Sequence, residues 1–375
     1  MIYFDNAATS GKKPQSVINA VTYALKNLSA NPGRSGHNMS AKVADEVYNA
    51  RVKIAEFFGS EGAETVVFTQ NCTHSINCVL KGVISKGEHL IISNLEHNAV
   101  MRPLKKMGVS YSVANVTESD DETLANFKAL IKPNTRLVFV TGASNVTGRI
   151  LPIERLGQLC FERKILFGVD AAQWAGIRPI NMQKMHIDYL CIAPHKSLYS
   201  PMGLGVLICR KPLKNTIIEG GTGTDSLDFL QPRILPEGYE SGTINVPAIL
   251  GLSAGIDFVK EIGFERLYNH EFTLLKTLYE AFSKNEKVLL YTKTPILNKT
   301  APVLPFNVRN KNSFDLSSYL NEKGFAVRGG LHCAPTAHKT LGTLESGAVR
   351  VSFGAFNNAN EVEKLIKLMA TTNFI

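Results

Sequence analysis

No run of about 18 consecutive apolar residues occurs in this 375-residue chain, so no membrane-spanning helix is expected. The opening segment MIYFDNAATSGKKP has no basic stretch leading into an apolar run, which argues against a signal peptide. The six cysteines (Cys72, Cys78, Cys160, Cys191, Cys209, Cys333) include no CxxC pair. Four of them lie in or beside apolar segments such as YLCIAP and VLICR, where the residue acts as a small hydrophobe. A disulfide framework is therefore not expected, and a cytoplasmic location is. Basic residues exceed acidic ones by nine (41 against 32), but they stand singly or in pairs such as Lys12-Lys13 and Lys105-Lys106. A scattered excess is a solubility property more than a nucleic-acid groove, and no nucleic-acid partner is expected. Neither GxGxxG nor GxxxxGK[ST] occurs, and GGTGTDS (220–226) misses both spacings, which removes the usual nucleotide-binding loops. Internal repeats, low-complexity tracts and linkers are also missing.

What recurs is a rhythm. Short β-rich runs at 65–69, 89–94, 111–116, 136–142, 165–171, 188–194 and 205–209 alternate with stretches of helical spacing such as HSINCVLKGVIS and IERLGQLCFERK. This alternation predicts an α/β fold with a mainly parallel seven-stranded sheet covered by helices. After SGTINVPAILGL the rhythm changes. A helical stretch over about 247–284 leads to three strand-like runs, TAPVLPFNV, FAVRG and AVRVSFG, and a final helix from Asn360. We expect a large domain over 15–246 and a smaller α+β domain over 247–375, with residues 1–14 packed on the smaller one.

In an open parallel sheet, ligands bind beyond the carboxyl ends of the strands. Five such ends carry polar groups: Gln70-Asn71-Cys72-Thr73, Glu96-His97-Asn98, Ser144-Asn145, Asp170 with Gln173, and His195-Lys196. Each alone has an ordinary structural explanation, such as a helix cap for Asp170. Together they suit a pyridine aldehyde with a phosphate arm. That molecule needs an amine for its aldehyde, a carboxylate for its ring nitrogen, a helix N-terminus for its phosphate and an aromatic ring to stack on. Lys196, Asp170, the Thr73 turn and His97 supply the four, and the cofactor expected is pyridoxal 5′-phosphate. Apolar neighbours should lower the pKa of Lys196.

The motifs that carry these residues resemble the cysteine desulfurase group of the class V aminotransferase fold almost end to end. They are YFDNAATS, NPGRSGHNMS, FTQNCTHSIN, EHNAVMRPL, SNVTG, VDAAQWAG, APHKSLYSPMGLG, YESGTINVPA, VRGGLHCAP and VRVSFGAFN. The resemblance implies the aspartate aminotransferase-like fold and gives each residue a role. Lys196 would bind the cofactor aldehyde and then carry protons, Asp170 would face the pyridine nitrogen, Gln173 the ring oxygen, and His97 would stack on the ring. Thr73, the backbone around Cys72, and His195 would hold the phosphate, and Thr243 would complete that site from the other subunit of a homodimer. Asn145 and Arg350 would grip the substrate carboxylate, with Arg328 nearby; for Arg350 a structural salt bridge is the competing explanation. Two departures stand out. Ala193 and Cys72 replace hydroxyl residues of the relatives, and the tract TAHKTLGTLESG after Cys333 is longer than in the familiar desulfurases.

Cys333 lies among glycines and histidines in VRGGLHCAPTAH. The spacing His332-Cys333-(x4)-His338 does not match common zinc sites, and no metal is expected. A nucleophile on a mobile loop remains. In the implied reaction, L-cysteine or L-selenocysteine is the substrate, and the Cys333 thiolate takes the sulfur and passes it to an acceptor protein. Iron–sulfur cluster assembly is one destination. His332 or Arg328 would favour the thiolate, although His332 reads equally as a solvated loop residue. The alternative is another enzyme of the fold (an aminotransferase, a selenocysteine lyase or another amino-acid lyase) in which Cys333 is not a nucleophile.

Overall fold

Each of the seven β-rich runs folds into a strand. A computed structural model describes residues 1–33, 36–223 and 226–372. Arg34 and Ser35 of NPGRSGHNMS, and Thr224 and Asp225 of GGTGTDS, lie outside the described residues. In chain order the first strands are β1 (Ile2–Tyr3), β2 (Val66–Thr69), β3 (His89–Ser93), β4 (Ser110–Ala114), β5 (Thr135–Thr141), β6 (Leu166–Asp170), β7 (Tyr189–Ile192) and β8 (Gly205–Cys209). The later ones are β9 (Val288–Leu290), β10 (Val303–Val308), β11 (Phe325–Ala326), β12 (Arg328–Gly330) and β13 (Ala348–Ser352).

Strands β2 to β8 form one sheet in the order β2-β8-β7-β6-β5-β3-β4. Only β8 runs antiparallel to its neighbours, so the sheet is mainly parallel, as its spacing predicts. Alternate residues serve two separate cores, as the period of a strand requires. Leu90, Ile92, Leu137, Phe139 and Leu207 pack on one face with Ile76, Val79 and Leu80 of helix Cys72–Val83. Ile91, Val138, Val140, Val169, Leu190 and Val206 pack on the other. Apolar residues on both faces make these strands read as unbroken hydrophobic runs. Cys191 and Cys209 are buried there. Edge strand β4 is the exception, with Ser110 and Tyr111 exposed.

A second sheet, β12-β13-β10-β9, is antiparallel throughout. β1 pairs in parallel with β11, which attaches the N-terminal segment beside this second sheet. Two details depart from the sequence expectation. The stretch from 247 to 284 is two helices, Val246–Ile262 and Phe264–Ser283, divided at Gly263, whose φ of +89° suits glycine. FAVRG divides at Val327 into β11 and β12, because its two halves pair with different strands.

Candidate active site

Close packing of small residues builds the site before any charged group enters it. Gly205 starts β8 against the backbone of Asn71, where an added Cβ would lie 2.3 Å from the Asn71 carbonyl carbon. Gly176, at φ +91°, lies equally tight against Ser197 and seats the loop that carries Lys196. Helix Cys72–Val83 therefore starts at the sheet end, capped by Asn71, whose side chain accepts from the His74 amide. Its first two amides, those of Cys72 and Thr73, have no acceptor within the helix and offer an anion site.

The five polar strand ends converge as expected. Cys72, Thr73, His97, Asn145, Asp170, Gln173, His195 and Lys196 line one cavity of about 220 Å³, and Arg328 and Arg350 reach it from the second sheet. Larger cavities of 440 and 550 Å³ lie elsewhere. Each contains an ion pair between lining groups, Arg51 with Glu240 in the first and Lys293 with Glu118 in the second.

Asp170 ends β6 almost fully buried, accepting from the Ala172 amide at 2.9 Å and the Cys72 thiol at 3.6 Å. Burial and the carboxylate together push the Cys72 thiol well up, so that side chain stays neutral and serves Asp170, leaving only its backbone for an anion. Gln173 spends one amide hydrogen on the Ala7 carbonyl at 2.8 Å. Burial lowers the pKa of Lys196, opposed by Asp170 and reinforced by Arg350 and Arg328, which favours the neutral amine that both condensation and proton removal need. His97 caps helix Asn98–Met107 by accepting from the Ala99 amide through Nδ1, and burial lowers its pKa too. Burial, with Lys196 and Lys13, lowers His195 to about 4, and its buried Nδ1 has no hydrogen-bond partner among the described residues. Orphaned buried polar atoms are rare in folded proteins. A donor set of two free helix amides beside an unpartnered imidazole nitrogen fits the oxygens of a bound anion.

Arg328 and Arg350 stand directly opposite each other across β12 and β13. Like charges in that register repel. One partner is the Asp5 carboxylate, 2.7 Å from Arg350 Nη2, and the Asn145 carbonyl accepts from Nη1 at 3.1 Å. Arg350 Nε is buried and unpartnered among the described residues. The salt bridge and the open donor thus coexist, and a substrate carboxylate would complete the neutralisation. Asp5 is a site residue that spacing alone does not reveal; the motif YFDNAATS was its only signal. Glu96 is another. It is fully buried under the His97 turn, and burial pushes its carboxyl up to about 8 against the bonds from Ser93 and Thr141.

The thiol of Cys333 is exposed, and Arg328 Nη2 stands 3.7 Å from it. Two hydrogen bonds join the loop backbone to its surroundings. Asn145 Nδ2 donates to the His332 carbonyl at 2.8 Å, and the Asn98 amide donates to the Cys333 carbonyl at 2.7 Å. His332 and Cys333 both adopt left-handed φ values, 50° and 56°, a conformation that costs roughly 1–2 kcal/mol per non-glycine residue. His332 is neither solvated nor turned to the thiol. It is buried, with one ring nitrogen on the Arg328 carbonyl and the other on His338. Of the two candidates for stabilising a thiolate, Arg328 is the one in contact.

Thr243 does not join this cavity. It is exposed and lines a separate one with Gln70, His74 and Asn245.

The family model described as "Aminotransferase class-V" matches residues 2–365. A probable cysteine desulfurase of Pyrococcus abyssi is 32% identical over 98% of this chain and 93% of its own length. A cysteine desulfurase of Haloferax volcanii is 29% identical, over 98% and 88% respectively. Among solved structures, the apo cysteine desulfurase of Thermococcus onnurineus aligns with a TM-score of 0.88 at 32% identity, covering 98% of this chain and 93% of that one. The S-sulfonic acid form of the Escherichia coli cysteine desulfurase CsdA aligns at 0.85 and 25%, with the same coverages.

Proposed function

This chain belongs to the class-V aminotransferase family, and from that footing we propose that it is a pyridoxal 5′-phosphate-dependent cysteine desulfurase, turning L-cysteine into L-alanine and a Cys333 persulfide. The observation that carries the reading is the exposed Cys333 thiol, held 3.7 Å from an arginine that lines the cavity of Lys196 and Asp170. The residues present fit the cofactor. Asp170 would hold its ring nitrogen, Gln173 its ring oxygen, and His97 its face. Lys196 would take the aldehyde, and the amides of Cys72 and Thr73 with His195 would hold the phosphate. When bound, the cofactor supplies an electron sink for a carbanion at the substrate Cα.

The protein's own groups do the rest. Arg350 and Asn145 hold the substrate carboxylate, with Arg328 completing the positive side of the cavity. Lys196 Nζ, whose pKa burial lowers, removes the Cα proton. The Cys333 thiolate attacks the substrate sulfur. A new S–S bond forms, the substrate C–S bond breaks with its electron pair left on carbon, and protons delivered from Lys196 and solvent complete alanine. One cysteine and one thiol thus become one alanine and one persulfide, with no external oxidant.

Its exposure suits Cys333 to handing sulfur to an acceptor protein, and L-selenocysteine would fit the same site. We place the protein in the cytoplasm as a homodimer. Six free cysteines accord with a reducing location, and no described helix is long and apolar enough to cross a membrane. The exposed side chains of Leu227, Phe229, Leu230 and Ile234 accord with a covered face. Residues 15–246 would hold the cofactor, and 247–375 with 1–14 would carry Arg328, Cys333 and Arg350.

The first experiment is the mass of the Cys333 peptide after exposure of the holoenzyme to L-cysteine without reductant. A gain of one sulfur atom is expected, and none in Cys333→Ala. Transamination or alanine release that survives in Cys333→Ala would instead favour another enzyme of the family.

A further inference from the structure

Cys333 is bracketed by a buried chain of three hydrogen bonds that no step above uses. His332 Nε2 lies 3.1 Å from the Arg328 carbonyl, His332 Nδ1 lies 3.1 Å from His338 Nε2, and His338 Nδ1 lies 2.8 Å from the Thr343 hydroxyl. All three side chains are at most 2% exposed. The donors can be assigned. A carbonyl only accepts, so His332 carries its proton on Nε2. Burial keeps both rings neutral, with pKa values lowered to about 2 and about 4. The bare Nδ1 of His332 must then accept from His338 Nε2, and the bare Nδ1 of His338 from Thr343. Each link points the same way, from Thr343 toward Arg328.

The chain joins the two ends of the segment that presents the thiol. Arg328 begins it, in contact with Cys333 through its guanidinium. His332 and Cys333 turn at its apex with left-handed backbones, and helix Pro335–Leu341 carries His338 back underneath. We propose that His338, backed by Thr343, is a positioning residue for sulfur transfer: it fixes the ring of His332, which closes the turn on the Arg328 backbone and holds the Cys333 thiol beside the Arg328 guanidinium. This deepens the desulfurase reading and rests on it. It also gives a purpose to the tract TAHKTLGTLESG, which carries both His338 and Thr343.

The test compares His338→Leu, which removes the donor, with His338→Gln, whose amide can still donate to His332. Three rates are read on the holoenzyme: sulfur gain on Cys333, alkylation of Cys333 by iodoacetamide, and exchange of the L-alanine Cα proton for deuterium. Exchange needs Lys196 but not Cys333. A displaced nucleophile is expected to slow sulfur gain about tenfold to a hundredfold in His338→Leu. Alkylation should slow as well, exchange should stay at the wild-type rate, and His338→Gln should recover most of both losses. Sulfur gain and alkylation at wild-type rates in His338→Leu would overturn the proposal. So would a Gln variant no better than Leu, or exchange falling in parallel in both. Alkylation needs neither cofactor nor substrate. A wild-type protein that alkylates but gains no sulfur therefore defeats the desulfurase reading alone, whereas a His338→Leu variant that alkylates normally defeats the positioning role.

Discussion

Arg350 illustrates how one residue serves structure and function together. Its guanidinium is buried, ion-paired to Asp5, opposed by Arg328 and left with Nε unpartnered among the described residues. Lysine keeps the charge but cannot reproduce the fork. Arg350→Lys should therefore weaken substrate binding more than turnover, raising KM for cysteine by roughly thirtyfold if one charged hydrogen bond of about 2 kcal/mol is lost. Steady-state kinetics separates the two effects. A fall in kcat at unchanged KM would show that Arg350 acts in the chemical step and not as the carboxylate grip. At the same scale, the Cys72 side chain is committed within the protein. Its thiol donates to Asp170, and an anion held at the helix start would rest on backbone amides, which no side-chain change removes.

At the scale of the element, the helix Cys72–Val83 starts at the sheet end with Asn71 as its side-chain cap. Asn71→Ala removes the acceptor for the His74 amide and should cost about 1 kcal/mol. Thermal unfolding should register the loss. If the neighbouring amides of Cys72 and Thr73 hold the phosphate, fluorescence titration of the apo form should also show pyridoxal phosphate binding weakened about fivefold. A lower melting temperature with unchanged affinity would remove the helix terminus from the phosphate site.

Two predictions concern the whole molecule. Thr243 lies outside the cavity of its own chain, so its proposed role requires a second copy. Mixing Lys196→Ala with Thr243→Ala subunits should then restore activity, since one site of each mixed dimer receives Lys196 from one chain and Thr243 from the other. Were Thr243 to serve its own chain, no site of the mixed dimer would be whole and nothing would be restored. Stability against pH should be bounded on both sides. His332 and His338, lowered from 6.5 to about 2 and about 4, protonate more readily unfolded. Their contribution is complete above pH 6.5 and falls as the pH drops, by up to about 1.4 kcal/mol per unit for each. Glu96 and Glu271, raised from 4.5 to about 8 by burial, act in the opposite sense, with full stability below pH 4.5 and loss as the pH rises toward 8. Urea unfolding from pH 4 to 8 should give a maximum inside that range. A curve rising steadily with pH would mean that the buried carboxyls ionise in place.

Local pattern alone was enough to read the seven strands, their mainly parallel sheet and the polar residues at five strand ends. Burial on two faces writes continuous apolar runs into the chain, and a strand end must break such a run with polar residues. Lys196 and Asp170 were legible for that reason. Cap and partner residues were not. Glu96 sits in a polar turn, and nothing local says that it is buried beneath His97. Asp5 and Arg350 are 345 positions apart and meet only because Asp5, just beyond β1, lies alongside β13. His332 read equally as a solvated loop residue because a period-based reading has no register for a left-handed turn. Its burial and its bond to His338 come from helix Pro335–Leu341 folding back beneath it. Sequence pattern thus determined which elements form and which chemistry they carry. Long-range packing decided which groups are neutral, which are paired, and how firmly the thiol is held.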